Sequence, residues 1–149
     1  MIKKIKVYID SNIPMYAAGR EHPNKEPSIK ILELVSSGKV IGMTSTEVFQ
    51  EILYRYQAIG ILKKGMEVFD NFSKIVDDVL PVNFQIMNEA REILGKNHYK
   101  NLFPRDAVHV ATMNYYEINY IATYDKHFEL FKHIKYMQAW LGLIYSYET

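Results

Sequence analysis

Short runs of β-branched and aromatic residues alternate along the whole chain with longer segments of helical periodicity. The predicted strands cover residues 6–9, 39–43, 79–82, 120–123 and 134–137, and the predicted helices cover residues 13–18, 28–38, 44–60, 62–76, 83–95 and 104–116. Short strands that alternate with longer helices are typical of a parallel sheet with helices on both faces. The sequence therefore predicts an α/β fold with three layers, α/β/α, around a short and mostly parallel central sheet.

Residue types at the helix ends set the predicted boundaries. Ser28, Thr44 and Asn83 each precede an apolar periodic segment, and such residues are preferred helix caps. Pro104 is suited to the first turn of a helix, where its missing N–H is not needed. Pro81 lies within a β-rich run, and because proline cannot donate to a ladder, that run is predicted to be an edge strand.

Length and composition exclude several classes of protein. The 149 residues, 48% of them apolar, predict one domain over residues 1–149 and exclude a disordered chain. The absence of cysteine excludes a disulfide scaffold, a cysteine nucleophile and a thiolate zinc site. Neither a membrane-spanning run nor a secretory signal is recognisable, so we expect a cytoplasmic protein. With a formal net charge of +1, only local basic patches would attract a polyanion.

Acidic residues follow two of the predicted strands. Asp10 comes directly after the first strand, and Asp125 follows the run at 120–123. The carboxyl ends of parallel strands meet at one edge of a sheet, where the ligand sites of such sheets lie. Aspartate is also a common turn and cap residue, so each one alone has a purely structural explanation.

Two glutamates of the predicted helix 44–60 need different explanations. Glu47 follows Thr44 by three residues, which is the spacing of a capping box, and its charge suits the helix dipole. Glu51 lies at the edge of the apolar stripe, where a carboxylate is unfavourable unless it is compensated. An ion pair with Arg55, four residues further on, or a bound metal ion would each compensate it, and both explanations stay open.

A third acidic position opens the helix that begins at Pro104. Asp106 lies in the first turn of this nearly apolar helix, so its carboxylate is expected to point toward the strand ends. Complementarity to the helix dipole is the structural alternative. His109 lies one turn further on, and we interpret it as a packed or partly exposed histidine rather than as a catalytic base.

In their order and spacing, these stretches resemble the PIN-domain nucleases, and within them the toxin ribonucleases of bacterial and archaeal toxin–antitoxin modules. The matching stretches are Tyr8-Ile9-Asp10-Ser11-Asn12, Thr44-Ser45-Thr46 leading to Glu51, residues 104–112 with Pro104-Arg105-Asp106, and residues 121–128 with Thr123-Tyr124-Asp125. The resemblance implies that four acidic side chains surround one or two divalent cations and that two polar side chains support them. The acidic residues are Asp10, Glu51, Asp106 and Asp125, and the supporting residues are Asn12 and Thr123. Such all-oxygen ligation suits Mg²⁺ or Mn²⁺.

The function that the resemblance implies is that of a divalent-metal-dependent endoribonuclease, the toxin of a toxin–antitoxin pair. Three residues beside the expected ligands, Arg105, Lys126 and His127, are candidates to contact RNA phosphates. The resemblance also implies a homodimer and an antitoxin protein as partners. The apolar tail at 138–149 is expected either to form protein contacts or to pack back on its own sheet.

Two other functions stay open at this point. The chain could be a non-catalytic PIN-like module that binds RNA or protein, or an RNA-processing nuclease outside any toxin–antitoxin module. The absence of a glycine-rich phosphate loop excludes a Walker-type nucleotide site and a dinucleotide site. A phosphatase of the haloacid dehalogenase type would need a second aspartate at the position of Asn12.

Overall fold

The structure, a computed structural model, describes residues 4–137, in which five short strands alternate with helices. The elements are β1 (Lys6–Ile9), α1 (Asn12–Ala17), α2 (Lys25–Ser36), β2 (Ile41–Ser45), α3 (Thr46–Ala58), α4 (Leu62–Ile75), β3 (Asp78–Leu80), α5 (Phe84–Asn97), α6 (Pro104–Tyr115), β4 (Tyr120–Ala122) and β5 (Lys135–Tyr136), with 3-10 segments at His98–Lys100 and Lys126–Leu130. Two α-helices connect each of the first three pairs of consecutive strands, and the second 3-10 segment connects β4 to β5.

All five strands belong to one parallel sheet with the order β3-β2-β1-β4-β5. β1 is therefore central, and the chain adds β2 and β3 on one side before it crosses to add β4 and β5 on the other. Because every strand runs the same way, their carboxyl ends share one edge, which we call the carboxyl edge. This arrangement confirms the predicted α/β fold.

Side chains of β1 alternate between two helical layers. Ile9 points to the face covered by α2, where it and Val35 leave no room at Gly42: a Cβ there would lie 2.6 Å from Val35. Tyr8 points to the opposite face, and its hydroxyl lies 2.6 Å from Nδ1 of His109 on α6. Because successive residues of a strand face opposite sides, α2 and α6 cover opposite faces, as a three-layer fold requires.

Several predicted boundaries are confirmed. Asn83 caps α5, since its side chain accepts a hydrogen bond of 2.9 Å from the backbone N–H of Ile86. Pro104 is the first residue of α6. The predicted edge strand forms as β3, which lies at the end of the sheet and stops at Leu80, directly before Pro81.

Two predicted helix starts are wrong. Thr44 does not open α3, because it belongs to β2 and its hydroxyl donates a hydrogen bond of 2.9 Å to the carbonyl of Ile9. The helix begins two residues later, at Thr46. The helix predicted from Ser28 begins earlier, at Lys25, so the hydroxyl of Ser28 lies within the helix and bonds backward along it. In both cases the hydroxyl that would cap a helix instead donates to a backbone carbonyl. For Thr44 this is the carbonyl of Ile9 on the neighbouring strand, and for Ser28 it is the carbonyl of Asn24, four residues earlier.

The predicted apolar tail at 138–149 lies outside the described residues, so the expectations for it stay predictions. Within residues 4–137, no helix combines the length and the apolar character that crossing a bilayer requires.

Candidate active site

The carboxyl edge brings together the four acidic side chains that the sequence singles out. Asp10 follows β1 directly, and its backbone N–H donates to the carbonyl of Ala122 at 3.1 Å, so β1 and β4 end side by side. Glu51 comes from α3, Asp106 from the first turn of α6, and Asp125 from the turn after β4. All four line one small depression. Three of them, Asp10, Glu51 and Asp106, are buried.

Hydrogen bonds from three residues hold the carboxylate of Asp10. The hydroxyl of Thr123 donates to Oδ2 at 2.7 Å, and the backbone N–H of Ser11 donates to Oδ1 at 2.7 Å. The amide of Asn12 donates to the Thr123 hydroxyl at 3.1 Å and lies 3.5 Å from Oδ2. The two residues that were expected to support the site, Asn12 and Thr123, therefore fix the orientation of Asp10.

A buried hydrogen-bonded chain holds the carboxylate of Glu51. His109 Nε2 lies 2.7 Å from Oε1, and the hydroxyl of Ser11 donates to Oε2 at 2.8 Å. On the other side of the imidazole, Nδ1 contacts the hydroxyl of Tyr8 at 2.6 Å, and that hydroxyl also contacts Ser45 at 2.7 Å. Complete burial raises the pKa of Tyr8 well above its ordinary value, so the phenol stays neutral.

The charges along this series of hydrogen bonds favour a protonated His109 beside an ionised Glu51. Burial alone would raise the pKa of Glu51, but the hydrogen bond and charge of His109, followed by Ser11 and Arg55, lower it overall. Burial would likewise lower the pKa of His109, yet its bond to Glu51 and the charges of Asp10 and Glu51 raise it. The buried negative charge of Glu51 is therefore compensated mainly by His109, and Arg55 contributes less.

On the other side of the depression, Asp106 and Asp125 approach each other. The backbone N–H of Phe103 donates to Asp106 Oδ2 at 3.2 Å, and the backbone N–H of His127 donates to Asp125 Oδ1 at 2.8 Å. Burial, followed by the charge of Asp125, raises the pKa of Asp106. A raised carboxyl pKa beside a second carboxylate indicates excess negative charge, which a cation would relieve.

Glu47 also contributes to this negative field. Its predicted role in a capping box with Thr44 is wrong, because Thr44 lies in β2. Glu47 is instead half-buried one turn before Glu51, and burial followed by the charge of Glu51 raises its pKa. Its carboxylate therefore adds to the charge that a cation at the site would offset.

The ligand atoms form two groups that fit divalent cations. Asp10, Glu51 and His109 form one group, and Asp106, Asp125 and His127 form the other, with the candidate atoms of each group within 4.8 Å of one another. In the first group both nitrogens of His109 are engaged by Tyr8 and Glu51, so the carboxylates of Asp10 and Glu51 are the candidate ligands there. Nδ1 of His127 lies 3.2 Å from Asp106 Oδ2 and 3.1 Å from Asp125 Oδ1. That nitrogen is buried and makes no hydrogen bond of proper geometry with the described residues. Carboxylate oxygens with an imidazole nitrogen suit Mn²⁺, and the oxygens alone suit Mg²⁺.

The three basic residues expected to contact RNA take different positions. Arg105 lines the depression, and its guanidinium carbon lies 5.2 Å from the ring centre of Phe103. Lys126 is exposed beside Asp125. The ring of His127 turns inward to the carboxylates, so this residue belongs to the acidic cluster rather than to an outer basic rim.

Sequence reasoning missed the buried chain behind Glu51. The prediction that His109 is packed is confirmed, but its bond to Glu51 was not anticipated, and Tyr8 and Ser45 were not assigned any role. The available signal was one of spacing: His109 lies one turn after Asp106 on a nearly apolar helix, where a polar side chain needs a partner.

Comparisons with known proteins agree with this geometry. The family model described as PIN domain matches residues 7–134. VapC ribonuclease Mb1869c of Mycobacterium bovis and ribonuclease VapC13 of Mycobacterium tuberculosis are each 37% identical over 129 residues, covering 87% of this chain and 97% of the relative. Among solved structures, the sarcin-ricin loop cleaving toxin VapC20 of M. tuberculosis has a TM-score of 0.70 at 18% identity, covering 83% of this chain and 93% of that one. VapBC2 of Rickettsia felis, bound to promoter DNA, has a TM-score of 0.68 at 16% identity, covering 89% and 97%. The chain belongs to the PIN-domain family, and its resemblance to the toxin ribonucleases is confirmed.

Proposed function

We propose that this protein is a divalent-metal-dependent endoribonuclease that hydrolyses RNA phosphodiester bonds as the toxin of a toxin–antitoxin pair. The observation that carries the proposal is the convergence of four carboxylates, three of them buried, at the carboxyl edge. Membership of the PIN-domain family and the two ribonucleases at 37% identity support it. The proposal treats residues 1–149 as one nuclease domain.

Each residue of the site has a separate task in this proposal. The residues that would hold the cation are Asp10, Glu51, Asp106 and Asp125. Asn12 and Thr123 orient Asp10, while Ser11 and His109 orient Glu51. One or two Mg²⁺ or Mn²⁺ ions would offset the carboxylate charges, polarise the phosphodiester and make water nucleophilic at neutral pH.

The chain itself must also bring a polyanion to an acidic site. Arg105 at the depression and Lys126 at its rim supply positive charge for the flanking phosphates. The buried carboxylates of Asp10 and Glu51 are held by hydrogen bonds before substrate arrives, so little reorganisation is needed when the scissile phosphate binds.

The partners follow from the same assignment. Solved structures that share this fold include toxin–antitoxin complexes from R. felis and from Salmonella typhimurium. We therefore assign an antitoxin protein and a second copy of this chain as partners, RNA as substrate, and the cytoplasm as location.

Metal binding tests the site without knowledge of the RNA target. We expect Mn²⁺ titrated into the wild-type protein to bind, as measured by calorimetry, and Asp10→Asn to lose that binding while keeping its circular dichroism spectrum. Asp70→Asn, which removes an exposed carboxylate from α4, is the matched control and should bind Mn²⁺ like the wild type. Asp10→Asn should also lose RNA cleavage.

The opposite results would change the assignment. If Asp10→Asn binds Mn²⁺ and cleaves RNA as well as the wild type, Asp10 is not a ligand. If the wild-type protein binds RNA but cleaves none with Mg²⁺ or Mn²⁺, the non-catalytic binding module becomes the better description. An active nuclease without an adjacent antitoxin gene would instead favour RNA processing.

A further inference from the structure

Two arginines line the acidic depression together with the four carboxylates, and they differ in exposure. Arg105 is exposed, and its guanidinium carbon lies 5.2 Å from the ring centre of Phe103. Arg55 is half-buried, and the function described so far gives it no part beyond its effect on the charge of Glu51. Of these two cations, Arg55 is the more shielded from water, so its charge is the less screened.

Arg55 reaches the depression from the last turn of α3. It lies four residues after Glu51, so the two side chains share one face of the helix. Helical side chains tilt toward the N-terminus of their helix, and the N-terminus of α3 follows β2 directly at the carboxyl edge. The guanidinium is therefore directed back along α3 toward the carboxylates.

The ion pair that the spacing of Glu51 and Arg55 allows is not formed. Both carboxylate oxygens of Glu51 have other partners, His109 at 2.7 Å and Ser11 at 2.8 Å. Within residues 4–137, the guanidinium of Arg55 finds neither a hydrogen bond nor an ion pair. Burial raises the pKa of Glu51, and the charge of Arg55 adds to the effect of His109 in lowering it, so the two groups are close without being paired.

The guanidinium of Arg55 is also open to a ligand. Arg55 lines a wider cavity of about 630 Å³ beside the depression, and Asn12 and Asp125 line both of them. An arginine that is half-buried, unpaired and accessible from one side keeps its donors available for an incoming anion. Arginine suits a phosphate in particular, because its planar group donates two parallel hydrogen bonds to two oxygens.

The proposed reaction creates the charge that such a group can stabilise. A bond forms between a water oxygen and phosphorus, the bond from phosphorus to one ribose oxygen breaks, the water loses a proton, and the departing ribose oxygen gains one. Negative charge grows on the non-bridging oxygens as the transition state is approached. Donors that are in place beforehand, in a site that excludes much of the water, stabilise this charge more than they stabilise the bound substrate.

We propose that Arg55 is a catalytic residue, whose guanidinium donates to the non-bridging oxygens of the scissile phosphate and stabilises the charge that develops there during hydrolysis. The inference rests on the proposed ribonuclease function and adds to it a cation that belongs to the chain itself. Arg105, exposed and stacked on Phe103, keeps its role toward the flanking phosphates. Lysine replaces Arg55 only in part, because an ammonium group is a point charge without the planar arrangement of donors.

Single-turnover cleavage with the protein in excess and Mn²⁺ saturating tests this role. The substrate is a labelled oligoribonucleotide that the wild-type protein cleaves, chosen from a library of random sequence. We expect Arg55→Gln to lower the rate constant at saturating protein by about 100- to 1,000-fold and to change the half-saturating protein concentration far less. Arg55→Lys should recover only part of the lost rate. Arg91→Gln, at an exposed arginine of α5, is the matched control and should cleave like the wild type.

Mn²⁺ binding, measured by calorimetry, separates catalysis from support of the cation site. Removing a positive charge near the carboxylates favours a bound cation, so Arg55→Gln should bind Mn²⁺ at least as tightly as the wild type. A residue that acted only by orienting Glu51 would weaken Mn²⁺ binding when it is removed. Arg55 also suits the dipole at the end of α3. Should Arg55→Gln not fold for this reason, Arg55→Lys keeps the charge and allows the same two measurements, with a smaller loss of rate.

Three outcomes would overturn the proposal. The first is cleavage by Arg55→Gln within about tenfold of the wild-type rate. The second is an unchanged rate constant with a higher half-saturating concentration, which would make Arg55 a contact for substrate binding only. The third is loss of Mn²⁺ binding together with cleavage, which would make Arg55 a support for Glu51. A wild-type protein that cleaves no RNA would instead contradict the proposed function itself, so the two failures are distinguishable.

Discussion

At the scale of single residues, His109 is the group on which the acidic cluster most depends when no cation is bound. Its two nitrogens contact a phenol and a carboxylate, so a protonated ring donates to both Tyr8 and Glu51. Tyr8 can then donate its own proton to Ser45. In that state each of the buried hydrogen-bonding side chains Ser45, Tyr8, His109 and Glu51 has a partner, as buried polar groups require.

The pKa shift of His109 makes the stability of the metal-free protein depend on pH. Because the folded-state pKa lies above the ordinary value of about 6.5, stabilisation is complete below that value and is lost as pH rises through the raised pKa. We expect the free energy of unfolding in urea to fall as the pH rises from about 6.5 through the raised pKa of His109.

Two variants check this dependence. His109→Gln should remove most of the decline, while His133→Gln, at an exposed histidine, should keep it. An unfolding free energy that is flat or rises over this range in the metal-free wild type would contradict the prediction. The lowered pKa of Glu51 does not interfere, because its contribution is lost only in acid, as pH falls through that pKa.

At the scale of elements, the packing of α3 on α4 depends on a single missing side chain. Gly65 lies in the interior of α4 and is buried, and a Cβ there would lie 2.6 Å from Cβ of Tyr56 on α3. Alanine normally stabilises a helix interior relative to glycine by about 1 kcal/mol. Here the close approach of the two helices reverses that effect, since neither backbone can move away without disturbing the core.

Two glycine-to-alanine substitutions should therefore change the free energy of unfolding in opposite directions. We expect Gly65→Ala to lower the free energy of unfolding by about 1–3 kcal/mol, as overpacking does. Gly95→Ala, on α5 with nothing within 4 Å of the new Cβ, should leave stability unchanged or raise it by up to about 1 kcal/mol. Urea denaturation measures both, and a stabilised Gly65→Ala would show that α3 and α4 are further apart than described.

The start of a helix could be predicted from local sequence where no tertiary contact engages the residue that begins or caps it. Pro104 and Asn83 start their helices as expected, since no tertiary partner takes the groups concerned. Thr44 follows the same local rule, but its hydroxyl bonds to the carbonyl of Ile9, 35 residues away. Only the position of β2 beside β1 decides between these outcomes, and local sequence does not contain that position.

At the scale of the whole molecule, the near-zero net charge means that local basic residues must supply the attraction for RNA, and the proposed function assigns this role to residues at the carboxyl edge. Affinity for a single strand falls with salt by about 0.7 logarithmic units for each phosphate contact per logarithmic unit of salt. In the Asp10→Asn background, Lys126→Gln should reduce this slope by about 0.7. Lys74→Gln should leave it unchanged, because the end of α4 leads into the start of β3, at the opposite edge. Equal slopes for both variants would exclude Lys126 as a phosphate contact.

The topology explains how much of the site was predictable. Asp10 and Asp125 could be placed together from sequence, since the carboxyl ends of parallel strands always share an edge. The partners of His109 could not, because they lie 101 and 58 residues away and depend on which face of α6 packs against β1 and α3. Strand ends follow a general rule, whereas contacts between helix faces depend on packing.

The central position of β1 has a consequence for the order in which the protein becomes active during its synthesis. Asp10 leaves the ribosome early, but the hydroxyl that orients it belongs to Thr123, 113 residues later, and β4 must pair with β1 to deliver it. A nascent or prematurely terminated chain that lacks β4 holds neither Thr123 nor Asp125. If the proposed site is correct, it is therefore among the last features to form, and we expect products of translation that end before β4 to cleave no RNA.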